Sequence, residues 1–176
     1  MKVLFVCTAN ICRSPSAELL ARAAGPGDVE FSSAGTHARD GEPINPDMVA
    51  ELTAGPDASA FRSRRLTHAI VEEADLMLTM EAGHRAFVID EWPAAFARVF
   101  TLGQAARAIA SAPTGLDRVA LLDHLGSSRG HADPALDVPD PYRRGTEACA
   151  GCVQSLRDHL RALLPALQSE GQQKEL

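Results

Sequence analysis

Aromatic side chains are scarce in this sequence, which has one Trp (Trp92), one Tyr (Tyr142) and six Phe among 176 residues. A core must therefore rest on Ala, Leu and Val, and a pocket that needs aromatic walls has few candidates. No apolar run approaches the roughly 20 residues of a membrane span, so no membrane partner is expected. The apolar residues that follow Lys2 are too few for a secretion signal, and no small-residue cleavage site comes after them. Basic charge is short as well. Seventeen Lys and Arg against 23 Asp and Glu leave a formal charge of -6, which argues against nucleic acid as a partner. The six histidines show no ligand spacing such as HxxxH, so no metal and no cofactor are expected. What remains is ordinary globular composition, 45% hydrophobic and 23% charged, in a length that suits one domain. Four cysteines, Cys7, Cys12, Cys149 and Cys152, in a chain of this size without an export signal do not read as a disulfide framework. The expected compartment is the reducing cytoplasm.

Along the chain, short apolar runs alternate with helical patterns. Residues 2–6 read as a buried parallel strand, with a helix opening at Ser14-Pro15 and closing at Gly25-Pro26-Gly27. Ser14 serves as a candidate cap for that helix. Strands are expected at 29–32, 74–79 and 98–102, and helices at 46–52, 81–90, 104–110, 116–125 and 146–167. Residues 33–36 read as a turn and 126–130 as an exposed loop. This predicts one α/β domain over residues 1–167, a three-layer sandwich with a four-stranded parallel sheet flanked by helices. A phosphate-binding loop would follow strand 1, in a flavodoxin-like or Rossmann-like arrangement. Residues 103–131 read as an insertion forming a substrate rim, and 168–176 as a polar tail.

The informative segment is Cys7-Thr8-Ala9-Asn10-Ile11-Cys12-Arg13-Ser14. It places a thiol at a strand end, a five-residue loop, an arginine and a helix start. Successive N–H groups of such a loop converge on one point, with the positive helix end behind them, and a tetrahedral oxyanion fits that point. Arg13 can hold two oxygens in a bidentate fork, and the same field favours the thiolate of Cys7.

Val6 to Glu18, VCTANICRSPSAE, resembles the signature of the low-molecular-weight protein tyrosine phosphatases. Ser33-Ala34-Gly35-Thr36 resembles the family's SAGT segment, Arg62-Ser63-Arg64-Arg65-Leu66 its basic segment, and Asp140-Pro141-Tyr142 its DPY motif. The resemblance implies metal-independent hydrolysis of protein phosphotyrosine through a phosphocysteine on Cys7. Arg13 would be the clamp and Asp140 the general acid, then the base. Thr8, Ala9, Asn10, Ile11, Cys12, Ser14 and Tyr142 would bind substrate. Ser14 would hydrogen-bond the Cys7 sulfur, and Asn10 would hold the loop in an unusual backbone conformation. Cys12 would guard the nucleophile by a reversible disulfide. Phosphotyrosine proteins would be the partners, a cognate tyrosine kinase among them, and the chain would be a monomer or weak dimer.

Departures from the pattern bear on specificity. Residues 36–40 offer no aromatic but His37, and Arg143 follows Tyr142 where a second aromatic is common, so one pocket wall is missing. Ile11 favours the tyrosine branch, because the related arginine phosphatases carry Thr there. Hydrolysis of another phosphomonoester or of phosphoarginine is the alternative. Arsenate reduction is disfavoured because residues 76–100 contain no cysteine. A phosphocarrier would need neither Arg13 nor a late acid. Cys149 and Cys152 read as core residues on a leucine-rich helix, His84 and His159 as helix-surface residues, and the run Arg62, Arg64, Arg65 as a solvated face.

Overall fold

The computed structural model describes residues 1–52 and 57–168. Four strands, β1 (Lys2–Cys7), β2 (Glu30–Gly35), β3 (Leu76–Thr79) and β4 (Val99–Thr101), form one parallel sheet in the order β2-β1-β3-β4. Around it lie α1 (Arg13–Ala24), α2 (Pro46–Glu51), α3 (His68–Glu73), α4 (Ala82–Glu91), α5 (Leu102–Ala110), α6 (Arg118–Ser127) and α7 (Gly145–Ala166). Short 3-10 turns occupy Pro93–Arg98 and Pro134–Leu136. Among the described residues no helix is long and apolar enough to cross a membrane.

β1 explains the layering. Its residues alternate, but both faces are buried: Val3, Phe5 and Cys7 join a core with α1, α2, α5 and α7, while Leu4 and Val6 join a second core with α3 and α4. A strand covered on both sides has no polar face to show, which is why its sequence is almost purely apolar. The few aromatics are divided between the two cores. Phe5 stacks on Phe31 in one, and Phe87 meets Trp92 edge-on beside the other. Met48, Met77 and Met80 join Ala, Leu and Val as fully buried fillers, a contribution the composition did not single out. Cys149 and Cys152 are buried on α7, as expected.

The remaining differences are local. Ser33 to Gly35 are not a turn but the end of β2, because Gly35 pairs with Cys7 across the sheet and bridges to Arg65. The chain turns only after it, at Thr36. Ser14 does not cap α1. The helix starts at Arg13 behind Cys12, and the Ser14 hydroxyl is turned to the Cys7 sulfur instead. His84 is buried, with 6% of its surface exposed, and His159 is half-buried rather than on the surface. Of the tail at 168–176, everything beyond Gln168 lies outside the described residues.

Candidate active site

The sheet places the site at the carboxyl end of β1, where an open α/β sheet leaves a crevice. Leaving β1, the chain curls through residues 8–12 before α1 begins. Two anchors on β2's side hold the curl: Thr36 N–H donates to Cys7 O at 2.9 Å, and His37 N–H to Thr8 O at 2.9 Å. A third comes from the α2 side, where Asn45 N–H donates to Ile11 O at 2.8 Å. Gly35 permits the closeness. A Cβ there would stand 2.5 Å from Thr8 O and 3.0 Å from Asn10 N. Among the described residues, the N–H groups of Thr8, Ala9, Ile11, Cys12, Arg13 and Ser14 have no protein acceptor.

Asn10 adopts φ 56°, a left-handed conformation that Asn tolerates better than most side chains. Its side chain uses its capacity to hold that shape. Nδ2 donates to Ser14 Oγ at 2.9 Å and to Ser33 Oγ at 2.8 Å, while Oδ1 accepts Arg64 N–H at 2.9 Å. The backbone N–H of Asn10 points to Cys7 Sγ at 3.3 Å, and Ser14 Oγ lies 3.0 Å from the same sulfur. With Nδ2 donating to Ser14, the one hydrogen of the Ser14 hydroxyl has two acceptors in reach, the Cys7 sulfur at 3.0 Å and Ala34 O at 3.5 Å, and the shorter contact is to the sulfur. On the other branch Ser33 donates to Glu18 Oε2 at 2.5 Å, and Glu18 pairs with Arg22 at 2.7 Å. Burial pushes the Glu18 carboxyl up, and the bonds from Ser33 and Arg22 oppose that.

Arg13 is almost wholly buried behind the loop. Its Nη1 meets Glu81 and donates to Val138 O at 3.3 Å, and its Nη2 meets Asp140 Oδ2 at 3.0 Å. Burial works against the guanidinium charge, but Cys7, Asp140 and Glu81 outweigh it and hold the pKa above its ordinary value. Glu81 is held nearby by Thr79, whose hydroxyl donates to Glu81 O at 3.1 Å. Asp140 opens an Asx turn in which Tyr142 N–H donates to Oδ1 at 3.2 Å. Arg143 and Arg144 follow in sequence, yet the ion pair to the Asp140 carboxylate comes from Arg13. Arg143 lies 5.1 Å over the Tyr142 ring instead.

The resulting cleft is about 580 Å³, lined among others by Cys7, Thr8, Arg13, His37, Asp140 and Tyr142. Of the residues singled out from sequence, Cys7, Thr8, Ala9, Ile11, Cys12, Arg13, Asp140 and Tyr142 line it, while Asn10 and Ser14 sit behind the loop. Tyr142 is an exposed wall backed by Arg143, and His37 stands across the entrance with its ring 5.1 Å from Phe87. Residues 103–131 contribute none of the lining. Cys12 is a buried free thiol pushed up to about 12 by burial and by the neighbouring Cys7.

Five contributors lie outside the residues singled out as site residues from sequence: Glu81, His84, Ser33, Glu18 and Arg64. Glu81 and His84 come from the start of α4, and His84 Nε2 lies 2.8 Å from Thr8 Oγ1. Burial and the Arg13 charge hold His84 down to about 4. Its position in the first turn of the helix that follows β3, five residues after the strand ends, was the available signal. Ser33 and Glu18 were quoted only within motifs, and Arg64 enters through its backbone. Among the described residues no group of three His, Cys, Asp or Glu is placed to hold a metal.

A parallel α/β sheet with a thiol beneath an anion cradle at the end of its first strand suits an enzyme that works on a bound oxyanion. Residues 2–117 match low molecular weight phosphotyrosine protein phosphatase, and the chain belongs to that family of enzymes. It is 31% identical to a low molecular weight protein-tyrosine-phosphatase of Streptomyces coelicolor, over 96% of this chain and 94% of that one. The YwlE arginine phosphatase of Geobacillus stearothermophilus superposes with a TM-score of 0.75 at 26% identity, covering 99% of this chain and 97% of that chain. A cysteine-to-serine mutant of YwlE with a phosphorylated active site serine superposes at 0.71, also 26% identical, over 99% and 97%.

Proposed function

We propose that this enzyme hydrolyses phosphotyrosine in proteins through a phosphocysteine on Cys7. The observation that carries the reading is the environment of one atom: Cys7 Sγ at the cleft floor, facing Ser14 Oγ at 3.0 Å and Asn10 N at 3.3 Å. Both contacts hold the sulfur in place beneath the loop N–H groups. The thiolate attacks phosphorus, the bond to the phenolic oxygen breaks, and Asp140 delivers its proton to that oxygen. Arg13 and the free loop N–H groups hold the equatorial oxygens, where charge is spread in the transition state. Asp140, now a carboxylate, takes a proton from the water that displaces the Cys7 sulfur and releases phosphate. The phosphoserine formed in the YwlE mutant supports a covalent step at the equivalent place. No step calls for a metal. Four free thiols agree with action in the cytoplasm, on phosphotyrosine proteins such as a cognate kinase.

Ile11 in the loop favours a phenyl substrate over a guanidinium. The second reading, phosphoarginine, has its own support in the similarity to YwlE and in Glu42, a second carboxylate lining the cleft. Phosphotyrosine, phosphoserine and phosphoarginine peptides of one sequence, assayed together with chelator present, decide between them. Preferential release from phosphotyrosine is the expected result. A higher kcat/KM on phosphoarginine would replace the reading with the second one.

A further inference from the structure

A second groove of about 550 Å³ runs beside α4, lined by Ala82, Arg85, Ile89, Phe96, Arg129 and His131 among others. Its arginines are unusual in their surroundings. Arg129 lies with its guanidinium 4.2 Å over Phe96 and 4.3 Å over Phe100, and it donates to the Phe96 carbonyl and to Ala97 O at 2.8 Å. Arg85 spends Nε on Val99 O at 3.3 Å, and no acceptor among the described residues takes its other guanidinium N–H groups. Neither arginine has a carboxylate within ion-pair distance among the described residues. Burial and the Arg85 charge hold Arg129 below its ordinary pKa, so the two cations feel one another. Asp90 is the one acidic residue in the lining.

This surface is also built rather than draped. Gln104, fixed as the third residue of the α5 capping box, donates Nε2 to Gly130 O at 3.0 Å and to His131 O at 3.4 Å. The segment after α6 is thereby held against α5, and Arg129 ties it to the Pro93–Arg98 turn. Preformed cations, together with Phe96 at 49% exposure, reduce the ordering cost that a binding partner must meet. We propose that this groove docks an acidic segment of a protein partner, carboxylates on Arg85 and Arg129 and an apolar side chain on Phe96 and Ile89. Charge complementarity selects the occupant. Two guanidinium groups that line one groove without a carboxylate partner among the described residues ask for two negative charges, and the apolar floor asks for a side chain that a free anion lacks.

The groove begins at Ala82, next to Glu81, which grips Arg13 in the cleft. A partner docked along α4 is thus delivered at the side of the active site, and its role in substrate choice rests on the protein-substrate reading above. Binding itself does not. Fluorescence anisotropy of an unphosphorylated labelled peptide of Glu residues around a central Leu, against its Gln counterpart, therefore tests it separately from the chemistry. The acidic peptide is expected to bind the full chain at least about tenfold more tightly than the Gln peptide. Arg85→Glu and Arg129→Glu should each weaken it by about tenfold or more, a gap of about 1.4 kcal/mol. Turnover of para-nitrophenyl phosphate should stay unchanged in both, which also reports that they fold. Should Arg129→Glu fail that control, Arg85→Glu alone decides. Equal binding of the two peptides, or undiminished binding to the folded variants, overturns the proposal. So does displacement of the peptide by inorganic phosphate where chloride of equal ionic strength leaves it bound.

Discussion

Arg13 Nη2 lies 3.0 Å from Asp140 Oδ2, so the candidate phosphate clamp and the candidate acid are bonded to each other. Glu81 takes the other side of the same guanidinium. In the proposed mechanism a phosphate dianion would compete with both carboxylates, and in taking over Arg13 it would release Asp140 toward the leaving group. One group therefore couples substrate binding to freeing of the acid.

Asp140→Asn separates those two effects. Loss of the proton donor should lower kcat on phenyl phosphate by about 10²–10³-fold, and much less on esters with activated leaving groups. Inhibition by inorganic phosphate should be as strong as in the wild type or stronger, because a competing carboxylate has gone. Weaker phosphate inhibition in the variant would contradict the coupling, and an unchanged kcat on phenyl phosphate would remove Asp140 from the chemistry.

His84 predicts an acid limit to stability. Its folded pKa of about 4 lies below the ordinary value of 6.5, so the unfolded chain binds the additional proton between those values. Stability contributed by the neutral imidazole is therefore fully present above about 6.5 and lost as pH falls toward 4, by on the order of 3 kcal/mol. His84→Gln can keep the bond to Thr8 without that proton. Thermal melts from pH 7 to pH 4 should show a shallower decline in the variant. Parallel declines would mean that His84 does not carry the effect.

Asn10 combines a strained φ with three side-chain bonds, and two substitutions part them. Asn10→Gly keeps the backbone conformation and loses the bonds, whereas Asn10→Ala loses both. Both should lose activity. Ala should be less stable than Gly by roughly 1 kcal/mol, the penalty of a left-handed position for a β-carbon. Equal denaturation midpoints would show that the conformation is not what Asn10 supplies.

Cys12 is the candidate guard of the nucleophile. Peroxide would convert the Cys7 thiolate to a sulfenic acid, and the Cys12 sulfur would then displace water to close a disulfide that thiol reopens. With the Cys12 thiol pushed up to about 12, closure should accelerate as pH rises above neutrality. Activity should return on thiol treatment in the wild type and fail to return in Cys12→Ser. Equal recovery in both would end the redox role.

The sequence made the cradle legible because its parts are contiguous: strand, loop, arginine and helix start lie within Lys2 to Ala24. The same locality made the parallel sheet readable from apolar runs. What stayed hidden is held by long-range contacts. Glu81 reaches Arg13 across 68 positions and Arg64 reaches Asn10 across 54, and neither residue type at those positions announces a partner. His84 looked like a surface residue because its neighbours Gly83 and Arg85 are polar or small, whereas its burial is decided by Thr8 and Arg13. Ser14 has the chemistry of a helix cap, and only the position of the Cys7 sulfur shows where its hydroxyl goes. The scarcity of aromatics around the pocket was legible, but the stacking of Arg143 on Tyr142 and of His37 beside Phe87 joins residues whose contact no local pattern announces.

The central claim is the covalent step on Cys7, and it is tested most directly by acid quench during steady-state turnover of a phosphotyrosine peptide, followed by peptide mass mapping. The account predicts phosphate on Cys7 in the wild type, and neither turnover nor that adduct in Cys7→Ala. Turnover persisting in Cys7→Ala, or phosphate trapped on a different residue, would contradict it.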